Sequence, residues 1–177
     1  MKDDISIILQ KNIKFQQIVH IQKSIAAIFN TDVTIVGERI DINPFYDTSR
    51  VQYNAAKIID SQEIQQDKKY LIIAIHDLFI PIFTFVFGLA KLNGNVAVIS
   101  THRLNNRYYG LPEDEDLLTE RIIKEAVHEI GHLFGLRHCI QYNCVMVNST
   151  SAEEIDIKNT DFCPSCQSIL QNNSPLF

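Results

Sequence analysis

The run His128-Glu129-Ile130-Gly131-His132-Leu133-Phe134-Gly135-Leu136-Arg137-His138 decides how the rest of the chain is read. On a helix, at about 100° per residue, His128 and His132 lie about 40° apart and one turn from each other. Two imidazole nitrogens on one face can then reach a single metal ion. Glu129 points about 60° away from His132, too far round to share the metal, yet near enough to take a proton from water bound to it. A third ligand can return only if the helix stops, and Gly135 can adopt the left-handed conformation that ends a helix at little cost. His138 follows just beyond it. Three neutral imidazoles suit zinc and leave its charge undiminished, so a water in the fourth position becomes acidic near neutral pH. A bare His-Glu-x-x-His pattern recurs by chance; its extension through Gly135 to His138 on a helical stretch sets chance aside. His20, His76 and His102 have no such spacing and receive no metal role.

Working outward, the spacing predicts a helix from about Glu115 to Leu136, with Leu118, Ile122, Ile123, Ala126, Val127, Ile130, Leu133 and Phe134 turned inward. The acids Glu113-Asp114-Glu115-Asp116 precede it, where carboxylates stabilise the positive end of the helix dipole, so they are read as a helix start and not as a cation site. Further upstream, strands are expected at Ile5 to Leu9, Val33 to Val36 and Tyr70 to Ile75, and helices over about 12–29 and 51–65. That alternation predicts an α/β layer structure. Phe83 to Phe87 and Val96 to Ser100 read as two more strands around Leu92-Asn93-Gly94-Asn95, whose Asn-Gly pair signals a hairpin turn. Cys139 to Phe162 reads as polar and irregular, and a short last helix is expected near Cys163, with Pro164 in its first turn.

A chain of 177 residues fits one domain, alone or with a small subdomain, and can bury roughly two thirds of its unfolded surface. Its net charge of -5, without a Lys or Arg cluster, argues against a nucleic-acid partner. The most apolar stretch, Leu78 to Ala90, is broken by Pro81 and Gly88 and falls short of the ~20 residues needed to cross a bilayer. Acids at Asp3 and Asp4 do not suit a secretory leader, so a cytoplasmic location is expected. In that reducing setting Cys139, Cys144, Cys163 and Cys166 suit a tetrahedral structural zinc, the second per chain. Rival readings are two disulfides, a redox pair at Cys163-Pro164-Ser165-Cys166, and inert buried thiols. Against them stand the leader argument, the few residues left after Cys166, and the polar surroundings of Cys144 and Cys163.

Cys139 directly after His138, then Cys144-Val145-Met146, then Cys163-Pro164-Ser165-Cys166, complete the patterns HExxHxxGxxHC, CxM and CxxC in order. In these motifs, which cover about the last third of the chain, the sequence resembles the archaemetzincins, zinc peptidases of the metzincin clan. Phe85 to Ala90 and Val96 through Arg103 resemble the family's strand region less specifically.

The resemblance implies a twisted mixed sheet packed on helices, with a long active-site helix. It divides the chain into 1–138, ending in the third zinc ligand, and a small C-terminal subdomain, 139–177. It also implies that the strand near Val96 to Thr101 lines the cleft and pairs with an extended peptide. Met146 would be the methionine of the Met-turn beneath the histidines, a reading that nearly coincides with a gap-filling core methionine. Asn148 stands where many metzincins carry a tyrosine, which leaves oxyanion stabilisation unassigned among Asn148, Tyr108 and Tyr109.

The function so implied is hydrolysis of peptide bonds by a zinc-bound water, with Glu129 as general base and acid, on peptide or protein substrates. A monomer without membrane partners is the default. The competing readings are a zinc-stabilised peptide-binding module with little turnover, and a redox protein acting through the cysteine pair. Arg103 and Arg107 could hold a peptide carboxylate, but solvated surface charge is the expected role of both.

Overall fold

Strands that read as unbroken apolar runs have to be buried on both faces, and here they are. The computed structural model describes residues 4–10, 15–63, 65 and 67–173. In chain order its elements are β1 (Ile5–Leu9), α1 (Phe15–Phe29), β2 (Val33–Arg39), β3 (Tyr46–Asp47), β4 (Gln52–Asn54), α2 (Ala55–Asp60), β5 (Lys69–Ala74), β6 (Leu78–Phe79), β7 (Gly88–Ala90), β8 (Val96–Ser100), α3 (Glu115–Leu133), α4 (Ala152–Ile157) and α5 (Pro164–Asn173). The main sheet runs β2-β1-β5-β8-β7, parallel except for the antiparallel edge strand β7. Alternate side chains divide between two cores. Leu71, Ile73, Ala97 and Ile99 pack with residues of α1 and α3, while Ile72, Ala74, Val96 and Val98 pack with residues of α2. The protein is thus an α/β structure with a mixed sheet between helices. The first core runs on past residue 138 into Cys144, Val145, Met146, Ile155, Cys166 and Leu170. Among the described residues no helix is long and apolar enough to cross a membrane.

Several expectations need correction. Phe83 to Phe87 is bent and irregular, not a strand, apart from a single antiparallel bridge between Val86 and Leu78. Two of its carbonyls are taken by side chains: Arg50 donates to Phe83 O and Gln52 to Thr84 O, each at 2.9 Å. The hairpin partner of β8 starts only at Gly88. Consequently β8 has a neighbour on each side and no free edge, so the cleft-lining edge expected at Val96 to Thr101 belongs to β7 instead. The turn does contain Asn-Gly, with Gly94 N donating to Lys91 O and Asn93 in the left-handed region at φ 57°. The helix expected over 51–65 shrinks to α2, because Asn54 caps it by accepting from Lys57 N and the residues before it join β4. The helix expected from residue 12 is described from Phe15; positions 12–14 lie outside the described residues. Within the segment expected to be irregular lies α4, capped by Ser151. Ser151-Ala152-Glu153-Glu154 has the spacing of a capping box and could have disclosed it.

Helix α3 starts as its acids imply: Asp114 caps it by accepting from Leu117 N, with Glu115 and Asp116 in the first turn. It ends at Leu133, short of Leu136, because Gly135 turns left-handed at φ 87° and Leu136 N folds back onto Gly131 O. Its far side is charged yet buried. Arg121 makes a two-pronged ion pair with Asp156 of α4, both contacts at 2.7 Å, and donates to Leu104 O; Lys124 donates to Asp156 O. Asp156→Ala would leave a buried guanidinium without its counter-charge. The expected cost is about 3 kcal/mol, read as a lower urea midpoint at unchanged slope.

Candidate active site

One turn of α3 separates His128 from His132, and the reversal at Gly135 returns His138 to the same place. One ring nitrogen from each of the three lies within 4.8 Å of the others. The second nitrogens are committed. His128 Nδ1 lies 2.8 Å from Val145 O and His132 Nδ1 lies 2.7 Å from Leu136 O. A carbonyl oxygen can only accept, so both Nδ1 atoms carry the proton and both Nε2 atoms present bare lone pairs, 3.1 Å apart. Lone pairs facing at that distance repel unless a cation lies against them. Burial, aided by the Lys158 charge, holds His128 well below the usual histidine range, and burial lowers His132 and His138 as well. A proton is therefore a poor candidate for that cation, and a divalent metal fits.

The sulfur atoms of Cys139, Cys144, Cys163 and Cys166 also lie within 4.8 Å of one another, and all four thiols are free. Cys139 and Cys163 are 3.8 Å apart. Sulfurs at two corners of a zinc tetrahedron with bonds of about 2.3 Å would sit about 3.8 Å apart, while a disulfide needs about 2.05 Å. Burial raises the Cys163 thiol, but hydrogen bonds from the Cys166 N–H and the neighbouring thiols outweigh it and hold the group at about 7. Burial pushes the Cys144 and Cys166 thiols up. Cys139 N donates to Met146 O at 2.9 Å, which ties this cluster to the segment whose Val145 O orients His128.

A cleft of about 520 Å³ opens over the histidines. One wall is the segment from Ile80 to Leu92, including β7; the opposite wall carries Arg137, Asn148, Ser149 and Thr150. Glu129 is buried in it. Desolvation first, then the Glu125 carboxylate, pushes the Glu129 carboxyl well above the usual range, and Lys158 opposes the rise. Lys158 Nζ pairs with Glu125 Oε1 at 2.9 Å and reaches Val147 O at 3.3 Å.

The model of peptidase family M54 matches residues 4–172. The chain belongs to peptidase family M54. An archaemetzincin of Haloquadratum walsbyi is 38% identical over 151 residues, covering 83% of this chain and 87% of that one. An archaemetzincin of Methanocaldococcus jannaschii is 40% identical over 135 residues, 76% of this chain and 75% of its relative. A solved zinc-dependent peptidase of Methanocorpusculum labreanum superposes with a TM-score of 0.84 at 30% identity, covering 94% of this chain and 99% of that one. The Archaeoglobus fulgidus archaemetzincin, solved with malonate, gives 0.82 at 35% identity over the same shares. As an M54 member the chain is a zinc metallopeptidase, and peptides or proteins are its substrates. Family membership thus decides for an enzyme over a binding module or a redox protein.

In this M54 chain the site differs from the sequence reading at several positions. Arg103 is not solvated surface charge: it grips Asp77 with two contacts of 2.7 Å and stacks on Phe85, 4.1 Å from the ring centre. Arg107 is exposed and paired with Glu113. Tyr108 and Tyr109 stand outside the cleft walls, Tyr109 donating its hydroxyl to Arg103 O, whereas Asn148 lies on a wall. Sequence reasoning missed Glu125 and Lys158. Glu125 could have been found one helical turn before Glu129, but no spacing announces its partner.

Met146 is fully buried, and a Cβ at Gly131 would meet its Sδ at 2.6 Å. Alanine would favour the helix by about 1 kcal/mol, but overpacking costs about 1–3 kcal/mol. Gly131→Ala is accordingly expected to lower the melting temperature in the wild type and to raise it in a Met146→Ala background. Stabilisation in both backgrounds would show that Met146 exerts no such pressure.

Proposed function

We propose that the chain hydrolyses peptide bonds at a zinc centre formed by His128, His132 and His138, with Glu129 as general base and then general acid. The observation that carries this reading is the pair of bare Nε2 lone pairs turned on one point beside a buried carboxylate. Zinc held there would supply a Lewis acid for water and for the scissile carbonyl. Glu129 accepts the proton that the attacking water loses as its oxygen bonds to the carbonyl carbon. When the C–N bond breaks, the same carboxyl delivers that proton to the departing amine. A carboxyl whose affinity for protons is raised by burial suits a group that must both take and return one.

An extended substrate would pair its backbone with the outer edge of β7, whose three residues line the cleft. The stretch 1–138 would then form the upper wall and the ligand helix, and 139–177 the lower wall. Met146 would act as the Met-turn methionine, packed against Gly131 between the two helical ligands and coordinating nothing. Cys139, Cys144, Cys163 and Cys166 would hold a second, structural zinc that pins the chain beyond His138, and such a reduced thiol set suits a cytoplasmic location.

Two measurements test this. The purified protein is expected to contain two zinc ions per chain, with the histidine-bound ion removed by chelator first, since a site opening on a cleft exchanges more readily than a closed one. One ion per chain with four reactive thiols would dismiss the structural centre. Glu129→Gln keeps the side chain's size while removing the proton acceptor. Peptide cleavage should therefore fall by about a hundred- to ten-thousand-fold with both zinc ions and peptide affinity retained. Undiminished cleavage would sink the role of Glu129.

A further inference from the structure

Gly88 opens the edge strand β7 and stands opposite Ile99 in antiparallel register. Among the described glycines only Gly110 and Gly135 have a positive φ, so the backbone at 88 makes no demand that another residue could not meet. Glycine inside a strand is less favourable than alanine and often marks a place where something approaches the backbone closely. Here that something is Glu129. A Cβ at position 88 would lie 2.6 Å from Glu129 Oε1, 2.7 Å from Cγ and 2.9 Å from Cδ. Real Cβ atoms do not come so near, and the crowded atoms belong to a side chain, from Cγ to the carboxylate, rather than to backbone. By contrast, among the described residues nothing lies within 4 Å of a Cβ built at Gly37 in β2.

Resting on the reading of Glu129 as the proton carrier, we propose that Gly88 is its positioning residue: the bare backbone of β7 is the seat that fixes where the Glu129 carboxylate stands in the cleft. The strand and helix are both held by the core, since β7 is paired to β8 and Ile130 beside Glu129 is fully buried. The side chain must therefore yield when a methyl group is added. A carboxylate displaced by about 1 Å from its working position costs a proton-transfer step about a hundred-fold. The same strand offers its outer edge to substrate, so base and substrate backbone would take their positions from one element.

The test is a cycle of four zinc-loaded proteins, wild type, Gly88→Ala, Glu129→Asp and the double variant, with Gly37→Ala as control. They are assayed on a peptide that the wild type cleaves in a diverse peptide library. Gly88→Ala should keep zinc content, hold KM within a few-fold, and lose about a hundred-fold in kcat. Shortening the acid by one methylene makes room for the added methyl group, so Glu129→Asp should lower kcat in the wild type but cost little further in the Gly88→Ala background. A crystal structure of Gly88→Ala should show the Glu129 carboxylate moved away from residue 88. Undiminished kcat, fully additive losses, or an unmoved carboxylate would each overturn the proposal. Wild-type rates in both Glu129→Asp and Glu129→Gln would instead remove the proton-carrier reading, whatever Gly88 does.

Discussion

Two carbonyl oxygens, Val145 O and Leu136 O, take the Nδ1 protons of His128 and His132 and thereby aim both Nε2 lone pairs at one point. Much of the surrounding architecture serves to put those oxygens in place. Leu136 O is available because Gly135 goes left-handed and Leu136 N folds back onto Gly131 O. Val145 O comes from a segment held on both sides: Val145 N donates to Asp161 O, and Met146 O receives Cys139 N. The cysteine cluster is therefore coupled to the orientation of His128 through two hydrogen bonds. An imidazole keeps one tautomer only if its other nitrogen has a fixed partner, and here the partners are backbone atoms that no side-chain substitution removes directly.

The same helix buries an unusual amount of charge. Arg121, Lys124, Glu125 and Glu129 are all buried on α3, and three of them find their partners at Asp156 and Lys158, on and just after α4. Breaking such pairs is costly, while an apolar replacement of the whole set can be neutral. Their effect is better described as alignment: each contact works only if α3 and α4 stand in one register. Lys158 also reaches Val147 O, so that alignment extends to the residue preceding Asn148 of the cleft wall. At the other end of the helix the hairpin between β7 and β8 is hooked to it, with Asn93 N donating to His132 O at 3.0 Å. Edge strand, α3 and the cleft wall at Asn148 are thus tied together at their ends.

Much of the α/β layering was legible in the sequence because buried parallel strands are continuous apolar runs. Ile5 to Leu9 and Val96 to Ser100 stand as strands at those bounds, and Tyr70 to Ile75 within one residue at each end. The errors fall where backbone groups are satisfied by distant side chains. Phe83 to Phe87 has strand composition, yet Arg50 and Gln52 claim its carbonyls, and the strand is delayed to Gly88. Arg103 looked like surface charge because its partner, Asp77, lies far from it in sequence.

The sequence by itself determined what depends on short-range geometry: two histidines one helical turn apart, a glycine able to stop the helix, acids at its start, and cysteines in closely spaced pairs. A helix repeats every 3.6 residues wherever it lies, so those relations survive without knowledge of the fold. Only the tertiary structure decided which strand forms the edge, which carbonyls lie behind the imidazoles, that Lys158 meets Glu125, and that Gly88 and Gly131 leave room for Glu129 and Met146. Each is a contact between segments joined by long stretches of chain. Such contacts are selected by packing the whole core at once, and no local spacing encodes them.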